Sequence, residues 1–370
     1  MLNKLIYFSW SLIIIYYGIA NCMINRLNQL SIDEKIGQLF IIGVWLGDTE
    51  KIKLKSQQML PRKVERLIKK YKVGGLLFLG SGTLSQEKEL ITNYQEITKI
   101  PLLIAQDCEW GIGMRLKDGE IYSKNSDLGK LEDKNKIYKI ARKIGQDCKN
   151  LGIHINLAPV VDINSNPKNP IISSRAFSDD KTVVAQCGLL YMRGLQDSGI
   201  LACAKHFPGH GDTTVDSHYD LPKISKSLHE LQNNELHPFK VLIKNGVDCV
   251  MVAHLEIPVL ENSSVKLPTS LSYCVITKLL KEELKFNGLV ITDALDMQAL
   301  TKFYRPGEIE VKALLAGADI LLCPADVKIA YKYIKNAINT GVISINELDQ
   351  RILKILKLKE KLFGNTKLQN

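Results

Sequence analysis

Past residue 30 the chain alternates short, almost continuous apolar runs with longer stretches where apolar residues return every three or four positions. The short runs are 38–44 (QLFIIGV), 74–80 (GGLLFLG), 101–107 (PLLIAQD), 154–163 (HINLAPVVDI), 200–207 (ILACAKHF), 247–255 (VDCVMVAHL), 289–295 (LVITDAL) and 319–324 (DILLCP). Apolar runs of this length without polar alternation read as parallel strands covered on both faces. Between them lie helical periods, such as Ile137, Ile140, Ala141 and Ile144 at i, i+3, i+4 and i+7. The last helix opens at Ser344 with Glu347 three residues on, a capping-box spacing, and runs to about Phe363. Gly152, Gly199, Gly246 and Gly288 each precede a strand, where a helix C-cap places glycine.

Eight such strands with intervening helices, and no Pro- or Ser-rich linker, predict an α/β fold: one (β/α)8 TIM-type barrel over residues 30–365. A doubly wound open sheet is the other arrangement of the same elements. In a barrel every strand ends on one common face, and that face carries the chemistry. Asp107, Asp162, Lys205, His206, His254 and Asp293 all stand at or near strand ends.

Composition narrows the classes. With 370 residues and 45% hydrophobic content, the chain can fill the core of one large barrel. Its net charge of +10 is spread over scattered lysines, which describes a solvated surface. No basic stripe with interleaved aromatics argues for nucleic acid. The eight cysteines include no Cys-x-x-Cys pair, so zinc-ribbon and thioredoxin-type motifs are excluded. Cys203 and Cys249 sit inside apolar runs as small hydrophobes, and no disulfide framework is expected.

The N-terminus departs from this pattern. After Lys4 no charge appears until Arg26, and Gly18-Ile19-Ala20 suits a cleavage site. Residues 1–22 are therefore expected to be an export signal, placing the protein in the periplasm or cell envelope. An uncleaved anchor, or a lipid on Cys22 tethering the chain to a membrane, are the alternatives.

The window 205–222, KHFPGHGDTTVDSHYDLP, holds three His, three Asp and one Lys in eighteen residues. Three readings compete: a metal site, a proton-transfer site and a decorated surface loop. His206 and His210 are four apart, but Pro208 and Gly209 break the helix that would align them as metal ligands. No metal or cofactor is expected. Asp216 and His218 sit two residues apart, close enough for the carboxylate to hold one imidazole tautomer. That pairing favours proton transfer, and Asp293 at the end of the seventh strand supplies a nucleophile.

The run from Lys205 to His218 follows the pattern K-H-F-P-G-H-G-x-T-x-x-D-S-H, and here the chain resembles the β-N-acetylglucosaminidases of glycoside hydrolase family 3, in particular the single-domain NagZ-like type. The resemblance covers residues 30–365. It implies that Asp293 is the catalytic nucleophile and that His218, paired with Asp216, is the general acid/base. It further implies that Asp107, Arg115, Arg175, Lys205 and His206 bind the sugar. The implied activity is retaining exo-hydrolysis of terminal β-linked N-acetylhexosamine through a covalent glycosyl-Asp intermediate. The carbohydrate partner it implies is a glycan or muropeptide from peptidoglycan.

Two departures bear on substrate preference. Trp110 in DCEWG replaces a small residue, so its ring either stacks on a sugar or fills the barrel mouth, and Ser178 stands where glycine is usual. Asp162 and Asn164 either reach the site or brace the end of the fourth strand. A histidine base is neutral when deprotonated, so an anionic co-substrate meets less repulsion and phosphorolysis stays open. A family 3 β-glucosidase and an inactive sugar-binding barrel are the remaining alternatives.

Overall fold

A computed structural model describes residues 24–47, 59–261 and 266–364. The leader expected at 1–22 lies outside the described residues. Eight strands form one parallel sheet in the order β7-β6-β5-β4-β3-β2-β1-β8. They are β1 Phe40–Leu46, β2 Gly75–Gly80, β3 Leu103–Gln106, β4 Ile155–Asn156, β5 Leu201–Phe207, β6 Cys249–Val252, β7 Leu289–Thr292 and β8 Leu321–Leu322. The ends of the sheet meet through a parallel bridge between Ile291 and Ile320, where Thr292 N–H donates to Ile320 O at 3.1 Å. The barrel is closed, and the open-sheet alternative falls.

Helices alternate with the strands: α1 Ile32–Gln38 precedes β1, then come α2 Pro61–Tyr71, α3 Leu84–Glu96, α4 Asn135–Leu151, α5 Lys181–Asp197, α6 Leu236–Lys244, α7 Cys274–Glu283, α8 Glu308–Ala316 and α9 Val327–Asn339. The final helix, α10 Ile345–Phe363, carries the capping box read from Ser344 and Glu347. On α4 the residues Ile137, Ala141 and Ile144 are fully buried, so the apolar period is the face laid on the barrel.

Two expectations need correction. The run 154–163 pairs regularly only at Ile155 and Asn156, because Pro159 has no N–H to donate, and pairing returns as a single bridge from Val160 to Lys205. Gly152, Gly199 and Gly246 take the left-handed conformation at φ +96°, +89° and +80°, as helix ends require. Gly288 does not: a Cβ there would lie 2.4 Å from Asp248 O, so it serves close approach of two backbones.

At the end of the barrel where the strands begin, α10 reaches the residues just before β1 and β2. Its Lys359 is fully buried and donates to Gln38 Oε1 at 2.6 Å and Gly74 O at 2.9 Å. The seven described cysteines are free, and six of them are buried. Among the described residues no helix is long and apolar enough to cross a membrane.

Candidate active site

The strand ends converge on a pocket of about 530 Å³ whose floor includes Leu77, Leu157, Met251 and Leu322. Asp107 and Glu109 leave β3 two residues apart, so both side chains point the same way. Lys205, fully buried at the end of β5, places its ammonium 2.8 Å from Asp107 Oδ1 and 2.8 Å from Glu109 Oε1. Arg115 donates to Asp107 Oδ2 at 2.5 Å. Arg175 embraces Glu109 with two bonds, Nε to Oε2 at 3.0 Å and NH2 to Oε1 at 2.7 Å.

Three cations thus share two carboxylates. Burial pushes both carboxyls up, but the cations outweigh it: Lys205 and Arg115 hold Asp107 well below its usual range, and Arg175 and Lys205 hold Glu109 at about 2. Both stay ionised at neutral pH and present oxygens that can accept sugar hydroxyls.

Lys205 and His206 are adjacent, and a regular strand would send them to opposite faces. The register of β5 on β6 shifts between Ala204 and Phe207, and both side chains line the pocket. His206 Nδ1–H donates to Asp162 Oδ2 at 2.6 Å, while Nε2 faces Arg175 NH2 at 3.3 Å. Asp162 is fully buried and absent from the pocket wall; it also accepts the His210 N–H at 2.7 Å. It braces the site and does not line it.

On the opposite wall Asp293 ends β7. Its Oδ1 accepts the Ala294 N–H at 2.8 Å, which fixes the carboxylate plane. Burial raises its pKa, but the imidazoles of His254 and His206 and the Ala294 N–H prevail and lower it. His254 is buried, and desolvation pushes its pKa down; its Nε2–H donates to Ala294 O at 2.9 Å, and its Nδ1 faces Ser270 Oγ at 2.7 Å. It therefore steadies the turn that carries Asp293.

His218 stands at the rim with its side chain 52% exposed. Asp216 Oδ1 takes both its Nδ1–H, at 2.7 Å, and its backbone N–H, at 2.9 Å. The far nitrogen, Nε2, is left for exchange with a molecule in the pocket.

Seven of the eight expected site residues line this pocket, namely Asp107, Arg115, Arg175, Lys205, His206, His218 and Asp293, with Asp216 behind His218. Trp110 is not part of this wall, and its ring carries the Lys124 ammonium at 5.5 Å. Asn164 also stays out of the wall. Glu109 joins the same wall beyond the eight expected residues, and its spacing of two from Asp107 is the sequence signal for a shared face.

The pattern described as Glycosyl hydrolase family 3 N terminal domain matches residues 31–358. The chain is 35% identical over 333 residues to beta-hexosaminidase A of Pseudoalteromonas piscicida, covering 82% of this chain and 56% of that protein. It is 30% identical over 343 residues to beta-hexosaminidase LpqI of Mycobacterium tuberculosis, covering 89% of this chain and 83% of that one. A solved glycoside hydrolase family 3 β-N-acetylglucosaminidase from Paenibacillus sp. str. FPU-7 superposes with a TM-score of 0.82 at 36% identity, over 91% of this chain and 63% of the other. The chain therefore spans less than two thirds of the first and third of these proteins.

Proposed function

The chain belongs to glycosyl hydrolase family 3, and on that premise we propose that residues 30–365 form the catalytic domain of a retaining exo-β-N-acetylhexosaminidase. The observation that carries the reading is the exposed His218, pinned through Nδ1 to Asp216, at the rim of a pocket whose wall holds the ionised Asp293. Asp293 attacks the anomeric carbon while His218 Nε2–H protonates the departing glycosidic oxygen. His218, now neutral at Nε2, takes a proton from water, the water oxygen attacks the same carbon, and the Asp293 ester bond breaks. The sugar leaves with its β configuration retained. Asp107, Arg115, Arg175, Lys205 and His206 hold the sugar hydroxyls.

The names of the relatives favour a terminal N-acetylhexosamine, and we place the substrate among peptidoglycan-derived glycans met in the cell envelope. The leader expected at 1–22, uncharged after Lys4, supports export. Phosphorolysis is a second reading, favoured by an acid/base that is uncharged in its basic form.

One experiment separates these. Turnover of aryl β-N-acetylglucosaminide and aryl β-glucoside is measured with and without inorganic phosphate. The expected product is free N-acetylglucosamine from the first substrate at a rate indifferent to phosphate. Sugar 1-phosphate as the main product would replace hydrolysis by phosphorolysis. Preference for the glucoside would make the enzyme a β-glucosidase, and no turnover of either would leave a binding barrel.

A further inference from the structure

The loop that carries His218 is held from beneath by one imidazole ring. His210 is 2% exposed, and Thr213 and Ser217 are equally hidden. The ring places Nδ1 3.0 Å from Thr213 Oγ1 and Nε2 3.1 Å from Ser217 Oγ. It thereby ties together both ends of segment 213–217, whose Thr214 and Val215 are exposed. The ring is itself anchored, since its backbone N–H donates to Asp162 Oδ1 at 2.7 Å and its carbonyl accepts Asn169 Nδ2 at 2.9 Å.

The hydrogen positions follow from counting donors. Thr213 Oγ1 donates its one hydrogen to His210 O at 3.1 Å and accepts from Asn169 Nδ2 at 3.1 Å. Toward the ring it can then only accept, so Nδ1 carries the proton. Nε2 is left as the acceptor for the Ser217 hydroxyl. That arrangement needs a neutral ring, and burial with His206 nearby pushes the His210 pKa down to about 4.

Above this anchor the loop tip is a self-contained turn. Asp216 O accepts the N–H groups of Tyr219 at 3.0 Å and Asp220 at 3.2 Å, and Asp216 Oδ1 accepts that of His218. Among residues 214–220 Ser217 is the one that is buried.

We propose that His210 and Ser217 are positioning residues that hold the Asp216–His218 dyad over the pocket through the Nε2···Oγ hydrogen bond. This rests on the reading of His218 as acid/base. With the bond removed the turn persists, but it spends less time where His218 reaches the leaving oxygen. Steps that need proton donation slow, and steps that do not are spared. The Asp162 carboxylate joins both parts of the site, because it also orients the sugar-binding candidate His206.

The test is steady-state kinetics of the full chain on aryl β-N-acetylglucosaminides of graded leaving-group acidity, for S217A, H210N, H210Q and H218A. A glutamine oxygen can stand where Nε2 stands and accept the Ser217 hydroxyl; an asparagine oxygen reaches only the Nδ1 position. S217A and H210N are expected to lose roughly 3- to 10-fold in kcat/KM with poor leaving groups, the worth of one neutral hydrogen bond. With a dinitrophenyl leaving group the loss is expected to stay under about twofold, since protonation matters less there. H210Q is expected to behave nearly as the wild type. A loss equal across leaving groups, or none at all, while H218A remains selective for poor leaving groups, overturns the positioning role alone. A flat H218A profile removes the acid/base reading and the positioning role with it. Should S217A fold poorly, the contrast between H210N and H210Q decides.

Discussion

Glu109 and Arg175 form a two-pronged ion pair in the pocket wall, Nε to Oε2 at 3.0 Å and NH2 to Oε1 at 2.7 Å, and Lys205 adds its ammonium to the same carboxylate at 2.8 Å. Glu109 is fully hidden, so its charge is tolerated only because these two cations meet it. Glu109→Gln leaves the buried Lys205 and the partly buried Arg175 facing each other with less to hold them. The expected cost is about 3–5 kcal/mol of stability, the usual penalty for breaking a buried pair from one side. A denaturation midpoint unchanged from wild type would show that the charges are paid for elsewhere.

Asp293→Ala is expected to abolish turnover with the fold retained, because the attacking oxygen is removed and the barrel is not. Asp296, three residues on, also lines the pocket and is the nearest substitute in sequence. Near wild-type rates in Asp293→Ala together with loss of activity in Asp296→Ala would transfer the nucleophile to Asp296.

His218→Ala is expected to slow substrates with poor leaving groups by roughly 10²–10⁴-fold, the worth of general acid catalysis. Good leaving groups are expected to suffer less in the first step, so that a glycosyl-enzyme accumulates and is visible by mass spectrometry of the intact protein. Asp216→Ala is expected to give the same pattern more weakly, since it removes the acceptor of Nδ1 and of the His218 N–H but leaves the imidazole itself in place.

Lys359 links pH to stability. Burial pushes its pKa down to about 7 from an ordinary 10.5. Between those values the unfolded chain holds a proton that the folded chain has shed, so unfolding takes up a proton and stability rises with pH. Below about pH 7 both states are protonated and the native state carries the buried charge. The stability difference between wild type and Lys359→Met is therefore expected to move in favour of wild type by about 2–3 kcal/mol from pH 7 to pH 9. A difference that stays constant over that range means the amine keeps its proton when folded.

Deleting residues 2–22 is expected to give an active enzyme that stays inside the cell, since β1 begins only at Phe40. N-terminal sequencing of full-length protein from its native cell checks the companion expectation of processing near Ala20. A start at Met1 in the soluble cytoplasm contradicts export, and lipid on Cys22 assigns a tether.

The order of elements was legible in the sequence because burial on both faces leaves parallel strands no polar positions. Barrel helices keep a 3.6 period for the opposite reason, having one face in water. The eight site candidates come from a family resemblance and from strand ends that a barrel must gather on one face, and seven of them line one pocket. What the tertiary structure alone decided is who neutralises whom. Glu109 became part of the site only when Arg175, sixty-six residues away, folded across it. Asp162 was sorted from site to brace because its oxygens are spent on His206 and His210. Trp110 meets Lys124, fourteen residues on, across its ring. Lys359 reads as one more surface lysine until α10 is laid between α1 and β2 and its ammonium loses the water. Apolar periodicity is a local property and survives in one dimension. Charge pairing, desolvation and the direction of a side chain depend on neighbours distant in sequence, and exist only once the barrel has closed.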